Sequence, residues 1–138
     1  MPPAERIIRA VAEAHLQRLL ERATEINAEE KYVYRIAKLE LFGSMLNPDM
    51  VTVGDIDVAY ELEAKDTTRD GYRALAEEAW LRAPEGSQFW NWPEDEVLEQ
   101  LRAGSEIISL QYAPNLEGRG WPSRVIFDDG VSPPEMTL

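Results

Sequence analysis

The residues with the types and spacing for chemistry fall in one stretch: Gly43-Ser44, ten intervening residues, then Asp55-Ile56-Asp57. Glycine has no β-carbon, so backbone N–H groups beside Gly43 can approach a ligand closely. Together with the Ser44 hydroxyl they can donate to phosphate oxygens, as in other anion-holding nests. Asp55 and Asp57 are two residues apart, which along a strand means roughly 6.5–7 Å on one face. That spacing lets two carboxylates share a divalent ion or a pair of ions. With no cation between them they repel, and each raises the pKa of the other. Mg²⁺ or Mn²⁺ suits such a site, because these ions prefer oxygen ligands and combine carboxylates with substrate phosphates. The plainer alternative is a tight turn at Gly43-Ser44 and solvated aspartates on an edge strand.

Those residues need two strands and a turn to position them, and the hydrophobic pattern supplies both. From Ile36 to Phe42, Ala37, Leu39 and Leu41 alternate with Lys38 and Glu40, as in a half-buried strand. Gly43-Ser44 breaks the alternation, and a polar loop containing Asn47-Pro48-Asp49 follows. Alternation returns from Asp55 to Leu62, with Ile56, Val58, Tyr60 and Leu62 facing one way and Asp55, Asp57, Ala59 and Glu61 the other. Before this pair, an amphipathic helix is expected over about 4–27, its stripe formed by Ile8, Val11, Leu16, Leu19, Leu20 and Ile26. The lone histidine, His15, falls on or beside that stripe and has no second His or Cys to join it, so it reads as a core or boundary residue and not a ligand.

After the second strand, Thr67-Thr68 offers an N-cap for a helix bearing Tyr72, Leu75, Ala76, Ala79 and Trp80, ended by Pro84 to Gly86. Pro93 suits the first turn of another helix, with Glu94, Asp95 and Glu96 favouring its N-terminal dipole and Gly104 as its stop. Strands are expected over Glu106 to Tyr112 and Arg124 to Phe127. The aromatic run Phe89-Trp90-Asn91-Trp92 reads as core or interface; without basic neighbours it makes a weak base-stacking platform. Helices and strands mix in one short chain, so the expected class is α/β or α+β: a small mixed sheet, helices packed on it, and a long N-terminal helix.

The chain has 138 residues, the size of one ordinary domain, with its core expected over about 36–127 and a tail over about 130–138. There is no apolar run near the roughly 20 residues of a membrane span, no secretory-signal pattern and no cysteine, so a cytoplasmic setting is expected. The 26 acidic residues outnumber the 14 basic ones, for a net charge of −12. General nucleic-acid binding needs the opposite balance. A single nucleotide carried with Mg²⁺, or a partner with a basic face, remains compatible.

The segment Leu41-Phe42-Gly43-Ser44-x10-Asp55-Ile56-Asp57-Val58 resembles the signature of the DNA-polymerase-β-like nucleotidyltransferases, and looks closest to their small "minimal" bacterial type. The match in pattern runs from about Ile36 to Trp80. The resemblance implies a palm-like nucleotidyltransferase fold that moves a nucleoside monophosphate from an NTP, ATP being expected, to an acceptor hydroxyl with release of pyrophosphate. By the same resemblance Asp55 and Asp57 are catalytic and hold the metals, and Gly43 and Ser44 hold the triphosphate. It also implies a third carboxylate on a later strand. Ser109 stands there, leaving Glu106, with Glu61 and Asp128, as substitutes. Too short and acidic for polynucleotide extension, the chain is expected to modify a protein or small molecule. Some minimal nucleotidyltransferases adenylylate a small helical toxin of the HEPN type, so a toxin–antitoxin pair is one expected setting. The second reading is a catalytically degenerate member that binds nucleotide or a partner.

Overall fold

The computed structural model describes residues 7–116 and 120–129. Four strands form the central sheet: β2 (Tyr34–Phe42), β4 (Ile56–Ala64), β5 (Ile108–Tyr112) and β6 (Ser123–Asp128), in the order β5-β4-β2-β6. β4 and β5 run parallel while the other pairs are antiparallel, so the sheet is mixed, as expected. The path from β4 to its parallel neighbour runs through α2 (Arg69–Trp80) and α3 (Trp92–Arg102). A parallel pair requires a crossover of this kind.

The N-terminal helix differs from expectation at its start. It begins at Arg9 and runs to Ala28 as α1, while Ile7–Ile8 forms β1 and pairs antiparallel with β3 (Thr52–Val53). Two β-branched residues before the helix find strand partners, Thr52–Val53, in the stretch expected to be a polar loop. The buried stripe of α1 runs through Ala12, Leu19, Ala23 and Ile26, whereas Ile8 and Val11 are exposed. Small alanines, not the larger Val11, let the helix sit close on the sheet. Positions 4–6 of the expected helix and the tail at 130–138 lie outside the described residues.

Helices α1 and α3 cover one face of the sheet. Leu19 and Ile26 from α1 and Val97 and Leu101 from α3 pack with Leu39, Leu41, Ile56 and Val58 in the main core. The pairing in β2 slips between Ile36 and Lys38, which leaves Ala37 as an extra residue. Ile36 therefore shares the core face with Leu39 and Leu41, a bulge that plain alternation cannot reveal. At the C-terminal end of α1, the Asn27 side chain donates to the Ile36 carbonyl (3.0 Å) and accepts from the Ile36 N–H (2.7 Å). The Lys65 ammonium donates to the carbonyls of Ile26 and Glu29, satisfying groups a helix end leaves open.

A satellite core of Val33, Ala76, Ala79 and Trp92 holds α2 and α3 together. Thr68 caps α2 by accepting from the Gly71 N–H, as expected. Trp92 is buried and its indole N–H donates to the Ala79 carbonyl at 2.8 Å, so this member of the aromatic run is core. Glu96 differs from expectation. It is expected to favour the helix N-terminal dipole with Glu94 and Asp95, but only those two lie in the first turn; Glu96 is buried, and the Arg82 guanidinium grips both its oxygens at 2.7 and 2.8 Å. Ala103 and Gly104 take left-handed backbone and stop α3. Among the described residues no helix is long and apolar enough to cross a membrane.

Candidate functional site

The other face of the sheet carries a row of side chains set by register. Ser123 in β6 stands beside Phe42 in β2, Phe42 beside Asp57 in β4, and Asp57 beside Ser109 in β5. The next row on that face is Val125, Glu40, Ala59 and Gln111. At the end of β2 the chain turns through Gly43, whose φ of +83° lies in the left-handed region, into a short 3-10 turn over Gly43–Leu46. A β-carbon at Gly43 would lie 2.5 Å from Oδ2 of Asp57, so only glycine lets the turn press against that carboxylate.

A cleft of about 850 Å³ opens over this row. Its polar side consists of Gly43, Asn47, Asp57 and Gln111, and its apolar side of Phe42, Leu46, Trp121 and Pro122. The size lies in the range of small-molecule sites. Burial, and secondarily the neighbouring Asp55 carboxylate, raises the Asp57 pKa above its ordinary value. A half-buried acid beside a second negative charge, backed by a backbone turn where a side chain would not fit, is an arrangement that a hard divalent cation relieves.

Arg9 ties the cleft-lining loop to the helix layer. Its guanidinium donates to the carbonyls of Met45 (3.0 and 3.2 Å), Asn47 and Met50 (2.9 Å), and its backbone N–H donates to Val51. One planar fork thus collects the carbonyls of Met45, Asn47 and Met50, the Asn47 carbonyl also accepting from the Met50 N–H at 3.1 Å.

The residues expected at the site are brought together unequally. Gly43 and Asp57 touch the same cleft. Asp55 comes before β4 begins at Ile56 and is exposed, so it acts on Asp57 through charge and is not a strand neighbour. Ser44 lies in the 3-10 turn, half-buried, and its carbonyl accepts from Asn47. Ser109 stands directly beside Asp57 in the parallel pair, where the resemblance implied a third carboxylate. Glu106, the first substitute, is exposed and precedes β5, whose first residue is Ile108. Glu61 and Asp128 are no nearer. Glu61 is four residues along β4 from Asp57, roughly 13 Å, and binds Lys38. Asp128 pairs in register with Lys38, at the same far end of the row. Among the described residues no three His, Cys, Asp or Glu side chains gather as a metal site. His15 is half-buried with its ring 3.5 Å from the Ser105 hydroxyl, a boundary position.

Of the residues that line the cleft, the sequence reading singles out Gly43 and Asp57 and misses Phe42, Leu46, Asn47, Gln111, Trp121 and Pro122. Phe42 and Trp121 stack at 6.0 Å between ring centroids and 22° between planes, forming the apolar wall. Phe42 was legible in principle: with Leu41 in the core, the next residue must point to the opposite face, onto the Asp57 row. Trp121 was not, because it precedes β6 in a Gly/Pro-rich loop with no periodicity to place it. The aromatic run read as core or interface lies elsewhere: Phe89 packs edge-on against Trp80 at 5.5 Å, and neither lines the cleft.

No protein-family model, curated protein or solved structure matches this chain.

Proposed function

We propose that the chain is a metal-dependent nucleotidyltransferase whose NTP, with ATP as the expected one, sits in the cleft over Gly43 and Asp57. The observation that carries this is the packing of the left-handed Gly43 turn against a carboxylate whose affinity for its proton is raised by burial and by Asp55. Bound Mg²⁺ or Mn²⁺ would supply charge neutralisation of the phosphates and of the attacking and leaving oxygens. Asp57 and Asp55 would hold it, and the Gly43-Ser44 backbone and hydroxyl would hold the triphosphate. The acceptor hydroxyl oxygen forms a bond to the α-phosphorus, the bond from that phosphorus to the bridging oxygen breaks, and pyrophosphate leaves. The hydroxyl proton passes to a base. A charge of −12 favours a protein or small-molecule acceptor over a polynucleotide. A small helical toxin is one such acceptor, and a setting inside the cell rests on the same footing.

A specific observation favours a second reading, a degenerate member that binds nucleotide or a partner without turnover. Ser109, neither a base nor a good divalent ligand, is the register neighbour of Asp57. Losing a positioned general base costs about 10²–10⁴-fold in rate, which leaves weak activity. Incubation with α-labelled ATP, Mg²⁺ or Mn²⁺ and candidate protein acceptors, comparing wild type with Ser109→Asp, separates the two. Label transfer that rises in Ser109→Asp supports a competent scaffold with a weakened site. Absence of transfer in both, alongside retained Mg-ATP binding, favours the binding module.

A further inference from the structure

The apolar half of the cleft is unused by phosphate and metal chemistry, yet it is continuous with that chemistry. Phe42 precedes Gly43 in the chain and faces Asp57 across the strands, so the aromatic wall starts one residue from the phosphate cradle. Trp121 extends it, stacked nearly parallel on Phe42, with Leu46 and Pro122 completing the apolar side. Trp121 is 53% exposed despite its size, in a cleft large enough for a nucleotide. Aromatic side chains hold nucleobases by stacking, with little regard to which base is present.

Resting on the function proposed above, we propose that the Phe42–Trp121 wall is the seat of the nucleobase, so that the ring of the bound NTP stacks on Trp121 while its phosphates lie at Gly43. Asn47 and Gln111 line the same cleft and supply amide groups to the ring edge. Affinity then comes from two separable halves, a metal–phosphate half at Gly43 and Asp57 and a stacking half at Trp121. The seat is sequence-tolerant, so ATP and GTP bind with similar strength.

Calorimetric titration of the full chain with Mg-ATP and with Mg-tripolyphosphate, which has no base, tests this. Wild type is expected to bind Mg-ATP about tenfold or more tightly than Mg-tripolyphosphate. Trp121→Ala removes that preference and leaves tripolyphosphate affinity unchanged, while Trp121→Phe keeps most of it. An unchanged melting temperature verifies that each variant is folded. Mg-ATP binding as tight in Trp121→Ala as in wild type overturns the base seat and leaves the nucleotide site standing. Equal loss for both ligands also overturns it, because the wall then shapes the cleft without reading the base. If wild type binds neither ligand, the base seat and the proposed function fall together.

Discussion

Gly43 and Asp57 are fitted to each other: the space a β-carbon would need at Gly43 is filled, to within 2.5 Å, by Oδ2 of Asp57. The left-handed φ of +83° at Gly43 and the half-burial of Asp57 are therefore two sides of one contact. Gly43→Ala is expected to meet both the backbone penalty and the clash. Each alone is of order 1 kcal/mol, so about 1–3 kcal/mol of stability should be lost in urea denaturation. The carboxylate must also swing away, so Mg-ATP binding should weaken by more than the stability loss alone explains. An alanine variant as stable as wild type would show that this turn is not held against Asp57.

The metal-free protein should report on Asp57 through pH. Burial first and Asp55 second raise its pKa, so the folded state holds this proton more tightly than the unfolded chain. That contribution favours folding in full below the unfolded value and is lost as pH rises through the raised folded value. At neutral pH the ionised Asp57 is thus a cost, and Asp57→Asn should melt higher than wild type. The advantage should shrink on acidification, as wild type takes up its proton. Melting curves of both proteins in EDTA, from acid to neutral pH, check this. An advantage that grows toward acid would mean that Asp57 is stabilised as the carboxylate.

Arg9 is expected to set the order of the cleft loop. Its guanidinium accounts for the carbonyls of Met45, Asn47 and Met50. Arg9→Met keeps the apolar stem but takes the donor from the Met45 and Met50 carbonyls, while Asn47 keeps the Met50 N–H, at a cost of about 1–3 kcal/mol. Hydrogen exchange should accelerate over residues 45–51 while the amides of β2 and β4 stay protected. Uniform acceleration throughout the chain would instead mean that Arg9 supports the fold globally.

The parts legible in the sequence are those governed by local period and local caps. Ile56, Val58, Leu39 and Leu41 alternate into the core, Thr68 caps α2 and Pro93 sits in the first turn of α3. What escaped depends on partners distant in sequence. Ile7–Ile8 becomes a strand only because Thr52–Val53 offers an edge. Glu96 turns inward only because Arg82, on the turn after α2, reaches it. Ala37 is the extra residue where β2 shifts register against β4, and β2 shifts again against β6 between Leu39 and Glu40; both depend on distant partner strands. At the site, Gly43 and Asp57 were marked by residue type and spacing. Trp121 was not, since its place in the cleft is set by where β6 joins the sheet.

The central claim, a metal-dependent nucleotide site at Gly43 and Asp57, is tested most directly by thermal unfolding with and without Mg-ATP. A ligand at 100 times its dissociation constant stabilises by about 2.7 kcal/mol, a shift of several degrees for a chain of this size. The expected result is a rise in melting temperature with Mg-ATP that EDTA abolishes and Asp57→Asn removes, while the Asp57→Asn protein stays folded. No shift with any NTP at saturating concentration, or a shift that survives both EDTA and Asp57→Asn, would contradict the claim.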